Sequence, residues 1–214
     1  SLFHQASSSD FKKIPGSPIA YWVSEKLLKL FGGAPVSSSF FSEGPCKSGN
    51  DDLYLRLFWE VDEKSIEKND GQLYCLCSKG GDYRKYYGNI EYILKWDSTS
   101  REHYRKDKIS RITSEVVWNE FGITWSIISS KSGYSFRLLP QESQFNSVSP
   151  TIFSENKSYT ELLSMLSFLN SKVAGHFLNI LNPTLALNVG NVLSLPHLIQ
   201  DASSHAENLI YTST

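Results

Sequence analysis

Ser158-Tyr159-Thr160-Glu161-Leu162-Leu163-Ser164-Met165-Leu166-Ser167-Phe168-Leu169-Asn170-Ser171-Lys172-Val173-Ala174-Gly175-His176-Phe177-Leu178-Asn179-Ile180-Leu181-Asn182-Pro183 is the stretch on which the fold class turns. Ser158 and Glu161 have the spacing of a capping box. Leu162, Leu166, Leu169, Val173, Phe177 and Leu181 recur at helical spacing and form one apolar face. Asn182-Pro183 ends the pattern, because proline cannot donate to a continuing helix. One amphipathic helix over about 160–181 is therefore expected.

Upstream of that helix the period changes. Runs rich in aromatic and branched residues, at 53–61, 73–77, 90–96, 116–129 (with a turn near 119–122) and 134–139, read as strands. Ahead of them lies a loop rich in Ser, Gly and Pro, 34–50, and ahead of that a second helical pattern. Ser17 can cap it, Pro18 fits its first position, and Gly32-Gly33 ends it. Ile19, Trp22, Val23, Leu27 and Leu30 give its buried stripe. A shorter strand or turn is expected over 185–195. The expectation is an α+β fold: a β-rich central sheet flanked by two amphipathic helices, with residues 1–214 as a single domain. Within it, 15–33 and 158–182 are helical, 50–140 is β-rich, and 196–214 is a tail.

Composition bounds the class without choosing a function. The chain has 214 residues, 40% of them hydrophobic and 13% aromatic, which excludes a disordered polymer. No apolar run reaches the roughly 18 residues that a membrane span needs. The N-terminal residues lack a signal-peptide pattern. Cys46, Cys75 and Cys77 have no fourth ligand at zinc-site spacing, so reduced structural cysteines in a cytoplasmic protein are expected, with no metal. The five histidines, His4, His103, His176, His197 and His205, show no metal spacing. The tryptophans Trp22, Trp59, Trp96, Trp118 and Trp125 are expected in the core.

Net charge is −1, but it is unevenly spread. Residues 50–72 hold seven acids and three bases, a net of −4, whereas residues 79–111 hold nine bases and five acids, a net of +4. At the start of the basic half lies Lys79-Gly80-Gly81-Asp82-Tyr83-Arg84-Lys85-Tyr86-Tyr87-Gly88-Asn89. Glycine lets a backbone approach its partner closely. Lys and Arg neutralise phosphate, and Arg and Asn can read base edges. That mixture suits a nucleic-acid surface.

Catalytic motifs are missing. The thirteen glycines never fall as Gly-x-Gly, so no dinucleotide or S-adenosylmethionine loop is present. No Gly-Lys-Ser/Thr exists for a P-loop and no His-Glu-x-x-His for a metalloprotease. The eight prolines are all isolated, which excludes the Asn/Asp/Ser-Pro-Pro-aromatic motif of amino-group DNA methyltransferases. Asp62-Glu63-Lys64 holds half of a metal-dependent nuclease motif, but no strand-borne acid precedes it.

Five segments nevertheless carry a resemblance to a known family. They are Asp10 through Trp22; Ser48-Gly49-Asn50-Asp51-Asp52 leading to Arg56; Lys79 through Asn89; Gly122-Ile123-Thr124-Trp125-Ser126; and Leu169-Asn170-Ser171-Lys172 with Leu181-Asn182-Pro183-Thr184-Leu185, closing at Leu195-Pro196. In this order they resemble the target-recognition region of the adenine-specific DNA methyltransferases of BREX phage-defence systems (PglX-type). Those proteins in turn resemble the fused methyltransferase–specificity proteins of type IIG restriction–modification. The second segment departs from the family pattern, which reads nearer Thr-Gly-Asp-Asn.

The resemblance implies a fold like that of DNA-methylase specificity domains, and a division of labour. A catalytic domain outside this chain would bind S-adenosylmethionine and flip the target adenine. This chain would then be no enzyme by itself. It would grip double-stranded DNA in the cytoplasm beside its methyltransferase domain, with no membrane contact. Arg84 and Asn89 are the expected base readers. Lys79, Lys85, Arg105 and Arg111 are expected on phosphate, and Arg56, Ser126 and Arg137 are further candidates. A module that docks other defence proteins through its aromatic face is the alternative.

Overall fold

The computed structural model describes residues 25–66, 72–128, 133–182 and 184–198. The segment Asp10–Trp22, most of the first expected helix, and the tail beyond residue 198 lie outside these residues. Of that first helix the described part is α1, Glu25–Leu30.

The expected single central sheet is instead two four-stranded sheets. Sheet A runs β1 (Phe40–Phe41), β8 (Thr151–Ser154), β5 (Gly122–Trp125), β6 (Phe136–Leu139), every pair antiparallel. Sheet B runs β2 (Leu55–Leu57), β4 (Tyr92–Lys95), β3 (Tyr74–Ser78), β7 (Gln144–Phe145), antiparallel except for the β3–β7 pair. Six α-helices occur among the described residues, so the fold is α+β. Four of them are α2 (Asp51–Tyr54), α3 (Ser98–Lys106), α4 (Tyr159–Leu169) and α5 (Lys172–Leu181), and α6 (Val189–Leu193) is the last.

The deciding stretch folds as two helices, not one. Ser158 caps α4 by accepting from the Glu161 N–H, as its spacing predicts. The helix then stops at Asn170, and Ser171 caps α5 through the Ala174 N–H at 3.1 Å. The buried faces of α4 and α5 cover one side of sheet A. Leu162, Met165, Leu166, Leu169, Phe177 and Leu178 pack with Ile123, Trp125, Phe136 and Ile152 in the larger core. Val173, which the periodicity placed on the buried stripe, is 54% exposed because the chain turns just before it.

Sheet B has its own core. Cys46, Cys75, Cys77 and Leu94 pack with Trp96 and Tyr104 beneath α3. Burial pushes the Cys46 thiol up to about 12 and raises those of Cys75 and Cys77 further. All three cysteines are free. Residues 98–106 show no apolar stripe in the sequence yet form α3, which Asp97 caps through the Ser100 N–H.

The two sheets meet along a seam that is part apolar, part hydroxyl. Val117, Leu139, Phe145 and Phe153 form the apolar part. Beside it Ser78 of β3 bonds the Ser149 hydroxyl, which also meets Thr124 of β5 at 2.8 Å. These buried polar groups satisfy one another, as a low-dielectric interior requires. The segment between β3 and β4 lies over this junction.

Candidate nucleic-acid interface

Lys79–Asn89 leaves β3 and crosses from sheet B to sheet A. It joins the edge of β6: the Tyr86 N–H donates to the Phe136 carbonyl at 2.8 Å, and the Leu138 N–H donates to the Tyr86 carbonyl at 2.9 Å. Its path demands unusual backbone. Gly80, Gly81 and Gly88 have positive φ, and so do two side-chain-bearing residues, Tyr86 (φ 71°) and Asn89 (φ 57°). A side chain at Gly81 would come within 2.9 Å of the Asn89 amide, so the turn also needs glycine for space. Backbone held this way costs on the order of 1–3 kcal/mol per non-glycine residue and persists only where the surroundings fix it.

What fixes it is a set of three ties. The Lys79 ammonium reaches the Asp51 carboxylate at 2.7 Å. The Ser126 hydroxyl donates to the Gly81 carbonyl at 2.8 Å. The Lys85 ammonium donates to the Asn170 carbonyl at the C-terminus of α4, at 2.6 Å, where the helix dipole favours a cation. Each tie runs to a different one of the described segments that carry the family resemblance. Those segments are far apart in the sequence; the loop is the hub that joins them.

The Asp51 end is built in advance. Asn50, whose place in the motif departs from the family pattern, caps α2 through the Leu53 N–H. The Ser48 hydroxyl donates to Asp51 at 2.6 Å. At the other end Asn170 acts like a strand neighbour to β6: it accepts from the Phe136 N–H at 3.0 Å and donates to the Phe136 carbonyl at 2.9 Å. Nothing in the sequence spacing marks that role.

The expected contact residues separate into two groups. Arg84 stands outward, its side chain 55% exposed and its nearest carboxylate, Glu91, 3.9 Å away. Tyr83, Tyr86 and Tyr87 beside it are 39%, 53% and 62% exposed. Arg111 is exposed too, and among the described residues it has no ion-pair partner. It shares an antiparallel bridge with Lys47. Arg105 pairs with Glu115 at 2.6 Å and lies over the Trp118 ring, and Lys79 is paired as above. Such exposed pairs contribute little and exchange readily for another anion.

Three candidates are turned back onto the chain itself. Asn89, expected to read bases, is 4% exposed and donates its amide to the Asp82 carbonyl at 2.8 Å, closing the loop from within. Arg56 turns back on its own helix end, donating to the Asp52 and Leu55 carbonyls. Arg137 is completely buried. Desolvation lowers its pKa to about 10, with Arg84 adding to the fall and Glu91 opposing it. Its guanidinium donates to Ser126 at 3.3 Å and Ser135 at 3.4 Å, and its Nε–H has no acceptor.

Of the tryptophans expected in the core, Trp125 and Trp96 are buried and Trp118 half-buried, but Trp59 is 60% exposed. Trp22 lies outside the described residues. Asp62 caps a single turn through the Lys64 N–H, which is an ordinary structural use of that carboxylate. Among the described residues, no group of three or more His, Cys, Asp or Glu side chains could hold a metal. No helix there is long and apolar enough to cross a membrane.

No family model matches the chain. It is similar to the adenine-specific methyltransferase BrxX of Escherichia coli O9:H4 (strain HS), 31% identical over 210 residues that cover 97% of this chain. It is also similar to the adenine-specific methyltransferase PglX of Lacticaseibacillus casei (strain Zhang), 34% identical over 210 residues and 90% of this chain. The chain spans 17% of the length of each of these relatives. It is thus related to adenine-specific methyltransferases and corresponds to a minor part of them.

Proposed function

We propose that this chain is the part of an adenine-specific DNA methyltransferase that recognises the target sequence on double-stranded DNA. The observation that carries the reading is the loop of residues 79–89. Lys79, Gly81 and Lys85 tie it at 2.6–2.8 Å to three other parts of the fold, while Arg84 and three tyrosines project from it. A rigid base with exposed Arg and aromatic tips is what reading a groove requires, because pre-ordered side chains lose little entropy on binding. Arg84 fits a bidentate contact to guanine, and Lys79, Lys85, Arg105 and Arg111 can turn to phosphates.

The chemistry of methyl transfer belongs elsewhere in this reading. Gly80-Gly81 lead into a loop and not onto a helix, so they do not form a cradle for S-adenosylmethionine. A covalently linked catalytic domain would hold that cofactor and the extruded adenine, and this chain would set which adenine is presented.

Selection of bound duplexes from a randomised pool tests the proposal. The chain should enrich one defined site, and Arg84→Ala should relax a single base pair of it with a loss of about 1–3 kcal/mol. Equal retention of selected and random duplexes would remove the recognition role. A second reading, a protein-docking module, draws on Phe58 and Trp59, 48% and 60% exposed, beside an open apolar cavity of ≈ 550 Å³ that Phe58 lines. Binding through that face should be indifferent to salt.

A further inference from the structure

Beneath the loop is a cleft of ≈ 260 Å³. Gly81, Asp82 and Tyr83 form one side of it, and the facing ends of β5 and β6 bring Trp125, Ser126 and Ser135 to the other. Tyr134 adds a half-buried ring. Directly behind Ser126 and Ser135 sits Arg137, 0% exposed, donating to both hydroxyl oxygens while its Nε–H stays unpartnered.

A buried cation with this little compensation is costly, and one placed at the wall of a cleft marks that cleft as a candidate site. Here the two serines divide its effect. Ser126 donates its O–H hydrogen bond to the Gly81 carbonyl and so holds the loop. Ser135 accepts from Arg137, which leaves its own O–H to donate, strengthened by the cation behind it.

The ligand class follows from the walls. Aromatic sides suit a flat ring, and the Ser135 hydroxyl supplies a donor. Asp82 supplies an acceptor and disfavours a phosphate. Purely apolar ligands would leave those polar groups without use. We propose that the cleft is a subsite for one unpaired nucleobase, flanked by Tyr83 and Tyr134 and hydrogen-bonded by Ser135, with Arg137 as the positioning residue behind it. The proposal rests on the nucleic-acid reading of the loop, and it gives that reading a use for a duplex in which one base has been extruded and its partner left unpaired.

The test titrates the ¹⁵N-labelled chain with each of the four deoxynucleosides, and with deoxyribose 5-phosphate as the base-free control. The reporter is the indole N–H of Trp125, which donates to the Leu187 carbonyl at the cleft wall. Its resonance is assigned through Trp125→Phe. A saturable shift of that resonance and of the Gly81 and Ser126 amides with at least one nucleoside, absent with the sugar phosphate, is expected. Ser135→Ala, compared at a temperature where its amide spectrum shows the native fold, should weaken the binding about fivefold, the effect of one hydrogen bond. No shift with any nucleoside, an equal shift with deoxyribose 5-phosphate, or unchanged affinity in Ser135→Ala would overturn the proposal. Duplex binding with a silent cleft would sink the subsite alone, whereas nucleoside binding without duplex binding would sink the recognition reading and keep the subsite.

Discussion

Lys79 and Asp51 show how one contact ties the loop to chemistry that can be titrated. Burial pushes the Asp51 carboxyl up, but the hydrogen bonds from Lys79 and Ser48 overcome it and hold the group below its usual value. A depressed carboxyl contributes stability above its unfolded pKa, near 3.9, and that contribution fades as pH falls through the folded value. The urea midpoint should therefore drop more steeply between about pH 5 and 3 in the wild type than in Lys79→Ala. Superimposable curves would mean that the pair contributes nothing. The cysteines run the opposite way. Their raised thiol pKa values leave stability intact below the unfolded value near 8.5, to be lost as pH climbs toward the folded ones. At pH 8 the native chain should leave a thiol reagent almost unreacted, and the urea-unfolded chain should react at all three thiols. Fast reaction in the native state would contradict their burial.

At the scale of elements, the break at Asn170-Ser171 does what an unbroken helix could not. It exposes the Asn170 carbonyl to Lys85 and turns the Asn170 amide onto β6. Asn170→Ala leaves the buried Phe136 N–H without its partner, so a loss of about 1–3 kcal/mol is expected in chemical denaturation. A neutral substitution would show that the latch is dispensable. The apolar stripe of 162–181 was legible because both helices bury the same side of the chain against sheet A. The break was not, since Leu169 and Phe177 keep the helical count across it. Helix α3 was missed for a different reason: just Ser100 and Tyr104 of its nine residues are buried, too few to make a stripe. Strands β1 and β7, two residues each, are shorter than any alternation that could reveal them.

For the molecule as a whole, the charge asymmetry read from the sequence survives in a more economical form. Most of the cations in 79–111 already have carboxylate or carbonyl partners on their own surface, and Arg84 and Arg111 are the least engaged of the candidates. Arg111 stands free of ion pairs among the described residues, and Lys79, Lys85 and Arg105 can exchange their partners, so about two to four phosphate contacts are expected at once. The candidate site was legible in composition, because Lys, Arg, Tyr and Gly together announce close approach to an anion. Which residues point outward was not, because that depends on the left-handed turn at Asn89, closed within the loop by Asp82, and on the edge pairing of Tyr86 with β6, about fifty residues further along the chain.

The most direct test of the central claim is the affinity of this chain for a duplex of random sequence, followed by fluorescence anisotropy as salt is raised. Binding at low salt whose log K falls against log salt with a slope of about −2 to −4, shallower by about 1 in Arg111→Ala, is the result the account predicts. Binding that ignores salt, or a slope that Arg111→Ala leaves unchanged, would contradict it.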